Sequence, residues 1–229
     1  MAIATQPTTP TPPLPGSEDW SLADLQEHLG GIPLNRIRLH PPPGTATEKD
    51  VIEADRCDHL CELIDGTLVE KAMGWYESRL AAILIHVLES FLENHDLGVV
   101  AGEGGMLRLM AGQVRIPDVG YFSWNKFPNR ELPQQPIPDL VPDLAVEVLS
   151  RGNTEAEMQR KLRDYFAAGV RLVWFIDPRQ RCTRVFIAID QMSLVGESEP
   201  LSGGAVLPGF AVTLGEILAR ADRQPPREG

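Results

Sequence analysis

The chain has 229 residues, 43% of them hydrophobic, and carries a formal net charge of −11. That length favours one substantial core with tails over two full domains, and the acidic balance excludes a protein that wraps nucleic acid non-specifically, for which a basic surface is needed. The longest apolar runs, Leu144–Leu149 and Leu172–Ile176, are far too short for a bilayer, so no membrane span is expected.

Residues 1–16 are rich in Pro and Thr, lack the basic start and apolar core of a secretory signal, and read as a disordered tail. A single domain is expected over residues 17–219, with a polar tail over 220–229. Ser21-Leu-Ala-Asp24 has the form of a helix N-cap, and Leu22, Leu25 and Leu29 give a short amphipathic helix that Gly30-Gly31 ends. The stretch through Gly44 reads as loop. Cys57, Cys61 and Cys182 are too few for a disulfide framework and suit a reducing compartment, so a cytoplasmic protein is expected. Cys57, His59 and Cys61 fall short of the four ligands of a closed zinc site and read as ordinary side chains.

Leu60–Ile64 and Thr67–Val69 flank Asp65-Gly66, a two-residue hairpin signal. From Trp75 to Leu92 the residues Tyr76, Leu80, Ile83, Leu84, Val87, Leu88 and Phe91 recur at helical spacing, which predicts one long helix. Strands are predicted over Leu97–Ala101, Met106–Leu109 and Val114–Phe122. After a Pro-rich loop, Leu144–Leu149 has the apolar character of a strand covered on both faces. Thr154-Glu-Ala-Glu157 is a capping box whose helix shows Met158, Leu162, Tyr165 and Phe166 on one side and stops at Gly169. Arg171–Ile176 and Thr183–Ile189 form a strand pair, and Leu214–Ala219 a last short helix. The order implies an α/β (α+β) fold with a central mixed sheet flanked by helices.

Two carboxylates stand out. Glu147 interrupts a buried-looking strand, and a lone carboxylate there is costly unless a cation or donors compensate. Asp118 follows Ile116-Pro117 on what reads as a neighbouring strand, where it can converge with Glu147 if the strands pair. Aspartate, glutamate and an adjacent main-chain carbonyl, that of Val148, are hard oxygen donors suited to Mg²⁺ or Mn²⁺. Such an ion activates water and stabilises phosphoryl charge, which points to phosphodiester hydrolysis. Lys161 lies about 40° from Tyr165 on the helical wheel and can reach inward to a developing negative charge. The competing reading lets it run along the apolar stripe with its ammonium in water. A turn role for Asp118 and a structural ion pair for Glu147 compete in the same way. Arg151–Arg184 carries eight basic residues against four acidic ones, a local phosphate-facing surface on an acidic protein.

Ile116-Pro-Asp118-Val, Pro142-Asp-Leu-Ala-Val-Glu147-Val-Leu-Ser150, Arg160-Lys161-Leu-Arg-Asp-Tyr165-Phe-Ala-Ala-Gly169 and Leu172-Val-Trp-Phe-Ile-Asp177-Pro178 resemble the Uma-two family of the restriction-endonuclease-like PD-(D/E)XK superfamily. Cys61–Val69 resembles its N-terminal hairpin and Leu207-Pro-Gly-Phe210 its C-terminal motif. The resemblance implies a restriction-endonuclease-like core and Mg²⁺-dependent cleavage of DNA. Asp118 then takes the place of the Asp of Pro-Asp, Glu147 that of the acidic residue of (D/E)XK, and Glu62 that of an accessory hairpin glutamate. The lysine position of (D/E)XK is Leu149, which leaves Lys161 to supply the ammonium, and Glu77 stands near the place of a histidine common in relatives. A homodimer suits the cutting of two antiparallel strands. The alternative is a nuclease-fold protein without hydrolytic activity that acts as a nucleic-acid or protein binding module.

Overall fold

The structure is a computed structural model that describes residues 20–222. The tail expected over residues 1–16, and most of that over 220–229, lie outside this range. Among the described residues no helix is long and apolar enough to cross a membrane.

The centre is a six-stranded mixed sheet. Its strands are β3 (Gly98–Gly102), β6 (Val119–Ser123), β7 (Leu144–Val148), β8 (Leu172–Asp177), β9 (Cys182–Ala188) and β10 (Gln191–Gly196), in the spatial order β10-β9-β8-β7-β6-β3. Only β7 and β8 run parallel, and α4 (Glu155–Ala168) makes the crossover between them. Its N-terminus is fixed by the Thr154 hydroxyl, which accepts from the Glu157 N–H at 3.1 Å, and its end by Gly169 at φ 98°.

Helices cover both faces of this sheet. On one face Val119, Tyr121, Leu144, Val146, Val148, Trp174 and Ile176 pack against α3 (Trp75–Leu92) and α5 (Leu214–Ala221). On the other, Ala145, Leu149, Val173 and Phe175 pack against Met158, Leu162 and Tyr165 of α4. The strict alternation along β7 therefore aims Glu147 at α4 rather than at α3.

A smaller antiparallel sheet lies beside the first, ordered β2-β1-β5-β4, from β1 (Cys61–Ile64), β2 (Thr67–Glu70), β4 (Leu107–Met110) and β5 (Gln113–Arg115). Its β1–β2 connection is the expected two-residue turn, with Asp65 at φ 48° and Gly66 at φ 69°. A Cβ on Gly66 would also come within 2.5 Å of the Gly44 main chain. Gly66→Ala is therefore expected to lower stability by at least ~1–2 kcal/mol, read as a drop in thermal midpoint.

Three features depart from the sequence expectation. The strand expected over Val114–Phe122 is two strands in different sheets, β5 and β6, separated by Ile116-Pro117-Asp118. Pro117 has no N–H to extend a ladder, so the chain leaves one sheet there and enters the other. A helix α2 (Glu48–Arg56) stands where no helix is predicted, because Val51 is its one buried residue and no apolar stripe advertises it. Its start is a local signal, the Asp50 carboxylate accepting from the Thr47 N–H at 2.7 Å. Edge strand β10 and the small pair β11 (Pro200–Ser202) and β12 (Ala211–Thr213) also lie outside the predicted elements.

Candidate active site

The site lies where the two sheets and α4 meet. Register alone brings its members together. Val119 pairs with Val146 across β6 and β7, and Asp118, one residue before β6, donates its N–H to the Val146 carbonyl and lies near enough to Glu147 for its charge to act on that carboxyl. In the small sheet Leu63 pairs with Val114, which sets Glu62 opposite Arg115. On α4, Lys161 and Tyr165 are one turn apart and share the face turned toward Glu147.

Both carboxylate oxygens of Glu147, of Glu62 and of Asp118 face a donor or a cation. Lys161 Nζ is 3.0 Å from Glu147 Oε2 and 3.2 Å from Glu62 Oε1, and the Tyr165 hydroxyl donates to Glu147 Oε1. Glu62 Oε1 also accepts from the Ile116 N–H at 3.1 Å, while its Oε2 takes Arg115 at 2.8 Å. The same guanidinium pairs with Asp164. Asp118 donates its N–H to the Val146 carbonyl at 3.0 Å, and its Oδ2 accepts from the Val148 N–H at 2.6 Å. Its Oδ1 lies 2.6 Å from Lys71 Nζ, and that ammonium donates to the Ile116 carbonyl at 2.7 Å. Asp118, Glu147, Lys161 and Glu62, expected from the sequence, thus occupy one connected cluster, and the part of Val148 that meets it is the main-chain N–H.

Burial sharpens the electrostatics. Side chains of Glu62, Arg115, Lys161, Lys71 and Asp118 are each no more than 3% exposed. Burial and the Asp118 charge push the Glu147 carboxyl above its ordinary range, and Lys161 opposes them only in part. Glu62 goes the other way: burial alone would raise it, but Lys161 and Arg115 hold it at about 2. Lys161 is raised because its two glutamates outweigh the cost of burying an ammonium. Two glutamates of one cluster, pushed apart in acidity by their surroundings, are the pattern of a functional site as well as of an ion-pair network.

Four carboxylates, Asp118, Glu147, Glu62 and Asp164, face three cations, Lys71, Lys161 and Arg115, so one negative charge is left over. Among the described residues no three His, Cys, Asp or Glu side chains converge as a ready metal cage. The donor set nonetheless suits a hard divalent ion held by two carboxylates with main-chain and water oxygens. Asp118 Oδ1 is buried, and Lys71 Nζ, 2.6 Å away, is poorly aligned for a hydrogen bond to it. Cys57 is exposed, Cys61 is buried and His59 pairs with Glu70, so that trio forms no site.

A cavity of about 670 Å³ is lined by Lys71 of this cluster, and Arg36, Lys71, Arg151 and Arg179 outnumber Glu70 and Glu77 in its lining. Most of the basic segment noted in the sequence is spent elsewhere. Arg160 pairs with Asp65, Arg171 with Asp143, Arg181 with Glu197 and Arg184 with Glu155. Leu149 is buried among apolar side chains and offers no amine. Lys71 and Arg115 escaped the sequence reading, because each reaches its carboxylate only through long-range pairing. The signal that could have found Lys71 is its place directly after the hairpin of Glu62.

The Uma2 family model, described as "Putative restriction endonuclease", matches residues 51–215. No curated protein matches the chain. Among solved structures, a protein described as a putative nuclease belonging to DUF820, from Anabaena variabilis ATCC 29413, is 16% identical and superposes with a TM-score of 0.63 over 72% of this chain and 92% of that one. That likeness fixes the fold as one shared with that protein, a mixed sheet flanked by helices, and it accords with the restriction-endonuclease description of the family. The family match spans most of the described residues and both candidate carboxylates, and the chain belongs to the Uma2 family.

Proposed function

We propose that this protein is a metal-dependent endonuclease that hydrolyses phosphodiester bonds of DNA. The observation that carries the reading is the buried cluster of Asp118, Glu147 and Glu62, which Lys71 links to a cavity whose lining is basic on an otherwise acidic protein. The Uma2 family description and the nuclease-like fold support it.

Asp118 and Glu147 would hold Mg²⁺ or Mn²⁺, with main-chain and water oxygens completing the donors. Such an ion, when bound, supplies positive charge to the phosphoryl oxygens and acidifies bound water. The chain's own residues do the positioning. Val148 N–H fixes Asp118, and the Tyr165 hydroxyl fixes Glu147. Lys161, tied between Glu147 and Glu62, keeps an ammonium beside the reacting centre and orients Glu147 for its task. Arg151 and Arg179 on the cavity wall take the phosphate backbone on either side of the scissile bond. Two copies related by a two-fold axis would cut both strands. Free Cys57, Cys61 and Cys182 accord with a reducing cytoplasm.

Supercoiled plasmid incubated with the protein and Mg²⁺ or Mn²⁺ is expected to be nicked, chelator to stop it, and Asp118→Asn to slow it by about 10²-fold or more. Absence of nicking by the wild type, or equal nicking by the variant, sinks the reading. A second reading is favoured by Leu149 and by the ion pairs that already engage the cluster: a nuclease-fold module that binds nucleic acid or protein without cutting. Calorimetric titration separates the two, since a hydrolase of this kind takes up Mn²⁺ and Asp118→Ala loses it, whereas the module takes up none.

A further inference from the structure

Lys71 sits where a small cation would be expected. Its ammonium is 2.6 Å from Asp118 Oδ1 and 2.7 Å from the Ile116 carbonyl, contacts with one carboxylate and one main-chain oxygen. Hard cations seek the same two kinds of ligand. The Asp118 oxygen is close to the Lys71 ammonium but poorly aligned with it, so its lone pairs are imperfectly used. Of the charged groups of the cluster, Lys71 lines the cavity, whereas Asp118, Glu147, Glu62, Lys161 and Arg115 do not. The Lys71 side chain thus reaches from the cavity wall to Asp118, and it is 3% exposed. Its backbone is anchored, the Lys71 N–H donating to the Leu60 carbonyl at 2.9 Å, while the four-carbon stem can rotate.

We infer that Lys71 is a tethered cation that guards Asp118, and that a divalent ion enters by displacing its ammonium into the cavity, where it meets the phosphodiester of the substrate. The inference rests on the metal-dependent reading above and adds to it the residue that gates the ion. It also supplies a second amine for the lysine role that Leu149 cannot fill. No bond is made or broken in the exchange: one cation replaces another at Asp118 Oδ1, and the released ammonium keeps its proton.

Mn²⁺ binding followed by the electron paramagnetic resonance of the free ion tests this on the full chain, comparing the wild type with Lys71→Met and Lys71→Gln. With the competing charge gone, Mn²⁺ affinity is expected to rise about tenfold in both variants, while nicking at saturating Mn²⁺ falls at least tenfold because the cavity ammonium is lost. Binding by the variants alone, with none by the wild type, overturns the displacement, because the native ammonium then never yields to the ion. Wild type and variants binding equally, or the variants more weakly, overturns it and leaves the metal site intact. Binding by no protein overturns the metal-dependent reading and this one with it. A measurement on the wild type needs no variant to fold: amine acylation mapped by mass spectrometry. Mg²⁺ should raise labelling of Lys71 several-fold and leave Lys161 unchanged. Unchanged or reduced labelling of Lys71 under Mg²⁺ concentrations that saturate the site overturns the displacement.

Discussion

Arg115→Met is expected to lose about 3–5 kcal/mol of folding stability at pH 7, seen as an early urea midpoint. Arg115 is 1% exposed and faces Glu62, itself 1% exposed, at 2.8 Å, with Asp164 on its other edge. A methionine keeps much of the volume but leaves the Glu62 charge with Lys161 and one main-chain N–H as its remaining partners. Against a total stability of about 5–15 kcal/mol that is a large share. The double variant Arg115→Met/Glu62→Gln should recover a good part of the loss, since it removes the uncompensated charge together with its partner. A single variant that unfolds within ~0.5 kcal/mol of the wild type would show that water, not the guanidinium, balances these carboxylates.

Acid titration of stability checks the same group independently. Glu62 is depressed in the fold from 4.5 to about 2, so its contribution is fully present above pH 4.5 and is lost as pH falls from there toward 2. Arg115→Met should shrink that acid limb, because it removes one of the charges that depress the group.

Glu147→Gln is expected to lower nicking by about 10²–10³-fold while leaving stability at pH 7 unchanged or higher. The two halves of that outcome come from one cause. The Glu147 carboxyl is raised above 4.5 by burial and by Asp118, so the folded chain holds this proton more readily than the unfolded chain does. Its favourable contribution is complete below pH 4.5 and disappears as pH rises through the raised value, which makes the ionised form at pH 7 a cost to the fold. Glutamine removes the charge and still accepts from Tyr165, and Lys161 keeps Glu62 at 3.2 Å. A carboxylate retained despite such a cost is expected where function demands it. Activity assay and urea melt on one preparation decide the matter: a large loss of stability with no change in nicking would make Glu147 a structural ion-pair member only.

Local signals carried the sequence reading a long way. Thr154-Glu-Ala-Glu157 and Gly169 bound α4, Asp65-Gly66 turns β1 into β2, and the spacing from Tyr76 to Phe91 lays out α3. Each is written in residues within a turn or two of one another, where capping, positive φ and amphipathic burial act. Glu147 announced itself by being charged in an apolar strand, and Lys161 by its place on the inner margin of a helix. By contrast, α2 and β10 carry too little buried surface to leave a period, and Pro117 hides a change of sheet inside what looks like one strand.

What the chain order by itself determined, then, was most of the elements, those with a cap, a turn or a period of their own, and the acids and the one amine that stand out in them. What tertiary structure alone decided was which cations meet those acids. Arg115 reaches Glu62 because β5 pairs with β1 across 53 residues, and Lys71 reaches Asp118 because the end of the hairpin abuts the crossing between sheets. Opposite charges far apart in sequence attract without a period or a motif, so only strand register and helix docking settle which pairs form.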